Sequence, residues 1–345
     1  MSQLRIVVAA LVVAGVIAGI AAQYWLHSPI DALGEEQVFE VREGASLRAV
    51  ANELAERGLV NWPRVFSAWG RVTGQAENIK VGEYLLAAGI SPSELLAQLV
   101  AGKVKLYPVT IVEGWTSREL FAALAENPAV TNTLGNPIDT DSGALPDLLQ
   151  AGHPEGQYFP DTYMVSRGTR DAVILQQANE LMQEKLAAAW EDRADGLPFK
   201  DPYELLILAS IVERETGVDS ERAQVAGVFI RRLKKGMRLQ TDPTVIYGLG
   251  EAFDGNLTRN HLLTDNPYNT YTRNGLPPTP IALPGESSLQ ATAHPDDGKA
   301  LYFVASGDPD GTHVFSATLA EHNAAVAAYI ARLRQASRKA RGSPE

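Results

Sequence analysis

The sequence contains no cysteine, and this absence removes several kinds of chemistry. A chain of 345 residues without Cys has no thiol catalysis, no zinc–thiolate site and no disulfide bond. The six histidines are scattered without HExxH or other ligand spacing, so neither a metal site nor a cofactor is expected. An excess of positive charge is also missing. The net charge of −11 argues against nonspecific binding to nucleic acid or anionic lipid.

Charge is likewise absent from residues 6–26, a stretch long enough to cross a bilayer as a helix. Arg5 precedes it, and the residues that follow are acidic, so the positive-inside rule places residues 1–5 in the cytoplasm. Tyr24 and Trp25 stand at the outer end, where amphipathic rings favour the membrane interface. We therefore predict a single-pass anchor in a bacterial inner membrane, with the body of the protein in the periplasm.

A cleaved signal peptide is the alternative for the same segment. The triplet Gly19-Ile20-Ala21 resembles a small-x-small cleavage site. The apolar run is longer than the usual core of a signal peptide, which favours the uncleaved anchor. Under either interpretation the bulk of the chain is exported.

A repeated pattern follows the apolar segment. Each copy is a short strand pattern, a glycine, one residue and then a hydroxyl residue, which is Ser46, Ser91 or Thr116. These hydroxyls are predicted helix N-caps, and in two copies a glutamate three residues later, Glu94 or Glu119, completes a capping box. A strand, two helices and a strand predict a small α+β module over residues 37–104.

The remaining chain is predicted to be mixed α+β as well. Residues 105–170 are interpreted as a connecting segment and the start of a catalytic region, with a loop or linker from Asn127 to Gly156. Its aromatic part, Pro154 to Val165, is either a packed loop or the wall of a groove. Residues 171–335 are predicted to form the catalytic domain, and residues 336–345 a polar, frayed tail.

The stretch from Asp201 to Gly217, DPYELLILASIVERETG, carries the candidate chemistry. Asp201 is a predicted N-cap, Pro202 suits the first helical position, and Glu204 is placed to complete a capping box. The helix is apolar until Glu213 and Glu215. At helical spacing Glu215 lies beside Leu208, Ile211 and Val212, which predicts a raised pKa.

Glu213 has a more mixed neighbourhood at the same spacing, formed by Leu206, Ala209 and Ser210. Residues two apart on a helix point about 200° away from each other, so Glu213 and Glu215 do not flank one glycosidic bond as a carboxylate pair. A mechanism with a single acid/base carboxyl fits better. The alternative is that both are solvated charges in a last helical turn.

The segment from Asn266 to Pro284, NPYNTYTRNGLPPTPIALP, is a long irregular stretch. Its amides and hydroxyls match sugar hydroxyl groups, its rings can stack on sugar faces, and its prolines make it rigid. The segment is therefore interpreted either as a site for a polyhydroxylated ligand or as a structural surface loop.

Several motifs in one order resemble the endolytic murein transglycosylase (MltG or YceG-like) family. They are ASIVERETG, QTDPTVIYGLG, YNTYTRNGLPPTPIALPG, AHP and YFVA, spread over about 130 residues from Ala209 onward. The N-terminal anchor and the module at residues 37–104, which is LysM-like under this resemblance, also match. The resemblance covers nearly the whole chain.

The resemblance implies an endolytic lytic transglycosylase that cleaves nascent peptidoglycan strands between MurNAc and GlcNAc. The product would carry a 1,6-anhydro-MurNAc end, and cleavage would terminate glycan elongation. The family's catalytic glutamate corresponds to Glu215, with Glu213 as a supporting residue. The positions expected to line the cleft are Gln240, Thr241, Asp242, Tyr268, Asn269 and Tyr271.

Peptidoglycan strands are the expected partner, and peptidoglycan synthases are expected from the resemblance alone, since no motif for them is visible. Two other functions stay open. The first is a noncatalytic peptidoglycan-binding scaffold of the cell-wall synthesis machinery, in which Glu215 is structural. The second is a hydrolytic muramidase, whose products retain a reducing end.

Overall fold

The computed structural model describes residues 2–30, 34–134 and 152–341 of a mixed α/β protein. The chain divides into two compact units. The first comprises Met1–Pro108 with Met164–Thr169, and the second comprises Val109–Tyr163 with Arg170–Glu345. Most of the loop predicted between Asn127 and Gly156 lies outside the described residues.

The first unit begins with helix α1, Ser2–His27. Its residues Gln3–His27 include an 18-residue window with a mean hydropathy of 2.5 and are long and apolar enough to cross a membrane. A signal sequence meets the same criteria. The last turn of α1 and the residues after it belong to the folded part of the unit, because Leu26 and Ile30 are buried in the described structure.

The rest of the first unit contains the predicted strand, two helices and strand. Strands β1 (Gln37–Val41) and β2 (Gly82–Leu86) pair antiparallel with Phe39 opposite Tyr84. Between them run α2 (Leu47–Glu56) and α3 (Pro63–Val72), and α4 (Pro92–Ala101) follows. The inward residues of these elements are fully buried, among them Phe39, Leu54, Phe66, Tyr84 and Leu96.

The predicted hydroxyl caps are confirmed. Ser46 caps α2 by accepting from Ala49 N at 3.3 Å. Ser91 and Thr116 form full capping boxes with Glu94 and Glu119 at the starts of α4 and α5 (Ser117–Glu126). Local chemistry therefore begins these helices where the sequence predicts.

Short strand pairs occur in the middle of the chain. Strand β3 (Leu106–Thr110) pairs with β5 (Thr162–Ser166), and β4 (Val130–Thr131) pairs with β6 (Thr169–Arg170). The aromatic segment from Pro154 therefore runs as a loop and then enters a strand. Its rings are largely buried, as Tyr158 and Phe159 are 0% and 7% exposed.

The second unit is organised around helix α7 (Pro202–Glu215), in which residues 205–212 are all buried. Helix α7 packs against α6 (Asp171–Glu191), α8 (Arg222–Lys234) and α11 (Glu286–Ala293), and also contacts α9 (Asp242–Leu249). A helix that is apolar on every side is a central core element. Two shorter helices lie between α8 and α11: α9 and α10 (Arg259–Leu263).

The chain closes with a hairpin and a long helix. Strands β7 (Tyr302–Ala305) and β8 (His313–Ser316) pair antiparallel. Helix α12 runs Leu319–Arg341. Residues 336–341 of the predicted frayed tail are therefore helical, because QASRKAR contains no Gly or Pro and keeps good helix propensity. Residues 342–345 lie outside the described residues.

Candidate active site

Helix α7 places both candidate carboxyls at its C-terminal end. Asp201 caps its start, since its Oδ1 accepts from Glu204 N at 3.0 Å, and Pro202 follows at the first helical position. The predicted capping box is wrong in one respect. Glu204 accepts from Lys200 N at 2.8 Å, so its carboxylate reaches one residue beyond the cap instead of bonding Asp201 N.

Glu213 and Glu215 have separate partners, as expected for residues two apart on a helix. Glu215 Oε1 accepts a short hydrogen bond from the hydroxyl of Thr241. Glu213 Oε2 accepts from Gly285 N at 3.0 Å, at the start of α11. The two carboxyls thus serve different segments of the second unit and do not form a pair.

The environment of Glu215 favours its neutral form. Burial raises its pKa from 4.5 to about 7, and the negative charge of Asp242 adds to this effect. The Thr241 hydroxyl and the Arg232 guanidinium act in the opposite direction. The raised pKa agrees with the prediction from the apolar neighbours of Glu215, and Leu208, Ile211 and Val212 are all fully buried. A carboxyl that titrates near neutral pH is suited to give and take a proton.

A loop before α9 presents Gln240, Thr241 and Asp242 to this carboxyl. Thr241 is buried, and its N–H donates to the Thr270 hydroxyl at 3.1 Å. Gln240 has φ of +51°, a left-handed conformation that is uncommon for a residue other than glycine. Its N–H donates to Thr270 O at 3.2 Å. The strained backbone thereby keeps Thr241 directed at Glu215 while the Gln240 side chain stays exposed.

Tyr271 joins the same group of side chains. Its hydroxyl donates to Asp242 Oδ1 at 2.5 Å, and Arg238 Nη1 donates to its carbonyl at 2.9 Å. Burial, followed by the Asp242 hydrogen bond, raises the pKa of Tyr271. The fold therefore brings Glu215, Thr241, Asp242 and Tyr271 together from three segments of the chain.

Arg232 supplies the cation on this side of α7. It lies on α8, is buried, and donates from Nη1 to Leu239 O at 2.7 Å and from Nε to Leu301 O at 2.6 Å. Its guanidinium also lies 5.1 Å from the centre of the Tyr302 ring. Because backbone carbonyls take up its donors, Arg232 acts on Glu215 through its field and not as a direct ion-pair partner.

Tyr268 and Asn269 occupy a neighbouring part of the long loop. The Tyr268 hydroxyl lies 3.0 Å from Thr279 Oγ1, and its ring stands edge-on to Tyr247 with centroids 4.8 Å apart. Asn269 is fully buried. Its Nδ2 donates to the carbonyls of His261, Leu262 and Thr264, and its Oδ1 accepts from Tyr271 N. The hydrogen bonds of the Asn269 amide are thus all made within this part of the chain, and they stabilise the conformation of the loop.

The opposite side of the α7 terminus forms a different cluster. The Glu213 side chain is 6% exposed and lies 3.7 Å from Arg222, whose side chain is 8% exposed. The pKa of Glu113 nearby is raised, first by burial and then by the charge of Glu213. Glu213 is therefore a buried ion-pair partner, not the solvated charge that a last helical turn would allow.

Glu155 is a second buried carboxyl that the sequence interpretation did not single out. It is 3% exposed, and burial raises its pKa to about 7. Its Oε1 accepts from Ser117 N at 2.9 Å at the start of α5, and its Oε2 accepts from the Tyr247 hydroxyl at 3.0 Å. Glu155 thus fixes Tyr247, whose ring contacts Tyr268. The only sequence signal was its place in the aromatic segment PEGQYFPDTYMV.

Gly156 allows this segment to approach the long loop. A Cβ at position 156 would lie 2.5 Å from Pro280 Cβ, and the residue has φ of +79°. Both the contact and the left-handed backbone require glycine.

The described residues contain no group of three or more His, Asp or Glu side chains arranged to hold a metal ion. Carboxyl, hydroxyl, amide and guanidinium groups come together in the described part of the second unit. Glu215 is the carboxyl in it that combines a titration point near neutral pH with hydroxyl and carboxylate neighbours from the predicted motifs.

Comparison with known proteins shows one consistent set of relatives. The model of the YceG-like family matches residues 39–328. An endolytic murein transglycosylase of Bacillus subtilis is 31% identical over 314 residues, which cover 84% of this chain and 84% of that protein. An endolytic murein transglycosylase of Streptococcus pneumoniae is 27% identical and covers 89% of this chain, which spans 61% of that longer protein.

A solved structure is similar as well. The crystal structure of a yceG-like protein from Listeria monocytogenes matches with a TM-score of 0.52 and 30% sequence identity. The match covers 84% of this chain and 98% of that one. The sequence matches and the structural match therefore point to the same family, and the residues matched by the family model belong to both units.

Proposed function

Because this chain belongs to the YceG-like family, we propose that it is an endolytic lytic transglycosylase acting on peptidoglycan. The proposed substrate is a nascent glycan strand, which is cut between MurNAc and GlcNAc. The cut leaves a 1,6-anhydro-MurNAc end and terminates elongation of the strand. The observation that carries the proposal is Glu215, a carboxyl with a pKa of about 7 bonded to Thr241 in the family's motifs.

Glu215 acts first as the general acid. At neutral pH a large fraction carries a proton, which passes to the glycosidic oxygen as its bond to C1 of MurNAc breaks. The resulting carboxylate then takes the proton of the MurNAc C6 hydroxyl, whose oxygen bonds C1. One carboxyl serves both steps, no water is consumed, and Glu215 ends protonated as it began. Intramolecular attack gains from proximity and lessens the need for a second carboxylate.

The neighbouring residues have supporting roles in this proposal. Thr241 orients Glu215 through its hydroxyl, and Asp242 with Tyr271 forms a polar rim beside it. Gln240 is exposed and therefore available to a sugar, while Tyr268 offers a half-buried ring. Asn269 positions the loop that carries the two tyrosines, and Glu213 positions the end of α7 against α11.

The first unit completes the proposal. Helix α1 is the single-pass anchor in a bacterial inner membrane, with residues 1–5 cytoplasmic and both units periplasmic. The strand–helix–helix–strand arrangement of residues 37–104 is a LysM-like module that engages or positions glycan. Residues 171–335 with the preceding connecting segment form the catalytic domain, and peptidoglycan synthases are proposed partners.

Product analysis on polymerised lipid II tests the proposed activity. The intact protein is expected to release fragments with 1,6-anhydro ends, and Glu215→Gln is expected to release none above background while keeping its circular dichroism spectrum. Unchanged release by Glu215→Gln would overturn the catalytic role of Glu215. No release by the intact protein would favour the noncatalytic scaffold, since the family motifs would then serve binding alone.

Mass spectrometry separates the proposed reaction from hydrolysis. A muramidase adds water, so its fragments retain a reducing end and are heavier by one water than anhydro fragments. Reduction with borohydride changes the mass of the hydrolytic products only. Products that are reducible throughout would replace the lytic reaction with a hydrolytic one while leaving Glu215 as the acid.

A further inference from the structure

Residues 26–30, where α1 ends, pack against the rest of the first unit. Leu26, in the last turn of α1, is 2% exposed, and Ile30, three residues after the helix, is 8% exposed in the core of this unit. The Ile30 N–H also donates to Ile90 O at 3.0 Å. The end of the apolar helix is therefore itself part of the folded unit.

A second contact at this junction involves two indole rings. Trp25 of α1 and Trp62, which caps α3, have ring centroids 5.5 Å apart. Trp25 lies near the end of the apolar segment, where an embedded helix leaves the hydrocarbon. The polar interface on each side of a bilayer is only about 5–8 Å thick, so a ring within 5.5 Å of Trp25 lies at a comparable depth.

Trp62 remains available for a further contact. It is 45% exposed despite its ring neighbour, and it makes no side-chain hydrogen bond as the cap of α3. Tryptophan favours the lipid–water interface, where its ring meets acyl chains and its N–H meets polar groups. Arg64 is exposed in the first turn of α3, a helix with two arginines and no acidic residue in an otherwise acidic protein.

We propose that Trp62 and Arg64 form a lipid-contacting surface that holds the first unit directly on the outer face of the bilayer crossed by α1. The indole occupies the interface beside Trp25, and the guanidinium binds lipid phosphate groups. The inference rests on the proposed anchor role of α1 and adds to it a fixed height for the first unit. A flexible tether would instead let this unit move freely above the membrane.

The absence of cysteine makes a site-specific test direct. Single Cys residues are introduced in the full chain at Val16, in the middle of α1, and at Asn61, beside Trp62. Each is spin-labelled in nanodiscs of phosphatidylethanolamine and phosphatidylglycerol (3:1). Collision rates with oxygen, which concentrates in lipid, and with a water-soluble nickel chelate then give the depth of each label.

The label at Val16 is expected deep in the hydrocarbon and the label at Asn61 at the level of the phosphates. Adding Trp62→Ala is expected to raise nickel collisions at Asn61 at least twofold, with circular dichroism unchanged because Leu26 and Ile30 still anchor the junction. Free nickel access at Asn61 with Val16 deep would overturn the lipid-contacting surface and leave the anchor intact. Free access at both positions would overturn the surface and the anchor.

Glycan cleavage by the same nanodisc samples keeps this test separate from the proposed function. Cleavage with Asn61 fully exposed to water would overturn the surface alone. An Asn61 label at phosphate depth in a sample without cleavage would support the surface and count against the enzymatic proposal alone.

Discussion

Glu213 and Glu215 leave the same helical turn in opposite directions and meet opposite electrostatic surroundings. Glu213 is buried against the Arg222 guanidinium and the N–H of Gly285, groups that stabilise a carboxylate. Glu215 is half-buried beside the Thr241 hydroxyl and near the negative Asp242, while Arg232 donates to backbone carbonyls. One side of α7 therefore holds a charge, and the other keeps a proton available.

The difference shows how one short sequence, ERE, supplies two functions. A two-residue offset on a helix sends the side chains to different neighbours, and the neighbours of Glu215 raise its pKa. On the Glu213 side, a structural ion pair joins α7 to α8, and a hydrogen bond from Gly285 N joins α7 to the start of α11. The Glu215 side has the properties of a general acid. Variants that change one carboxyl at a time therefore test whether Glu213 acts in stability and Glu215 in catalysis.

The largest expected effect is on catalysis. Glu215→Gln removes the transferable proton and is expected to lower glycan cleavage by at least about 100-fold, the usual contribution of a general acid–base group. Glu213→Gln is the matched control, with the same chemical change two residues away, and is expected to lower cleavage less than about tenfold per folded molecule. Release of muropeptides from polymerised lipid II measures both. Equal losses would end the distinction.

Stability should respond in the reverse order. Glu213→Gln removes the buried carboxylate beside Arg222 and leaves this guanidinium with only the exposed Asp219 as a carboxylate partner in the described structure. We expect a loss on the order of 2 kcal/mol in the free energy of unfolding. Glu215→Gln should be neutral or stabilising at pH 8, because it removes a carboxyl that must ionise in a buried place. Urea unfolding followed by circular dichroism checks both variants. A more stable Glu213→Gln protein would contradict the ion-pair role.

The pH dependence of cleavage sharpens the comparison further. If Glu215 is the acid, activity should fall as the pH rises above about 7, where the folded carboxyl loses its proton. Thr241→Val removes a hydrogen bond that lowers the pKa, so this limb should move to higher pH. Asp242→Asn removes a charge that raises the pKa, so the limb should move to lower pH.

Shifts of up to about one unit are expected for these two variants, measured as pH profiles of kcat/KM. Shifts in the same direction, or a limb that stays in place in both, would show that another group controls the profile. Because the two variants are expected to shift the pH limb in opposite directions, their comparison is informative even if both lower activity.

The smallest effect concerns Glu155, which provides a second case of a buried carboxyl. Its pKa rises from 4.5 to about 7 on folding, so its contribution to stability is present below pH 4.5 and is lost as the pH rises through about 7. Glu155→Gln keeps an acceptor for Ser117 N and removes the titration. The fall in Tm between pH 5 and 8 should be a few degrees smaller in this variant. An unchanged fall would show that Glu155 is ionised in the folded protein at both pH values.

Local features of this fold were predictable from sequence. Hydroxyl caps, apolar spacing and turn residues act within a few positions, so Ser46, Ser91, Thr116 and Asp201 were identified at helix starts. The apolar side of Glu215 followed from spacing alone. The extension of α12 to Arg341 was not predicted, although residues 335–341 contain no glycine or proline and Gly342 follows them in the sequence.

Contacts between distant segments were beyond the same reasoning. Tyr247 and Glu155 are 92 positions apart, and no periodic pattern links them. Glu213 gained its partner from α8, and Asn269 turned inward to bond three carbonyls of its own loop. The sequence identified which residues have suitable chemistry. Which of them are buried in structural contacts and which stay exposed depended on tertiary packing.

Gly156 has a consequence for how this protein tolerates mutation. Two irregular segments meet there, and the space is limited by the ring of Pro280, which cannot rotate aside as a flexible side chain would. In a saturation library, position 156 should accept glycine alone, while the exposed neighbours of the segment accept many residues. Selection for folding would thereby produce an invariant position beside Glu155 that takes no part in any reaction.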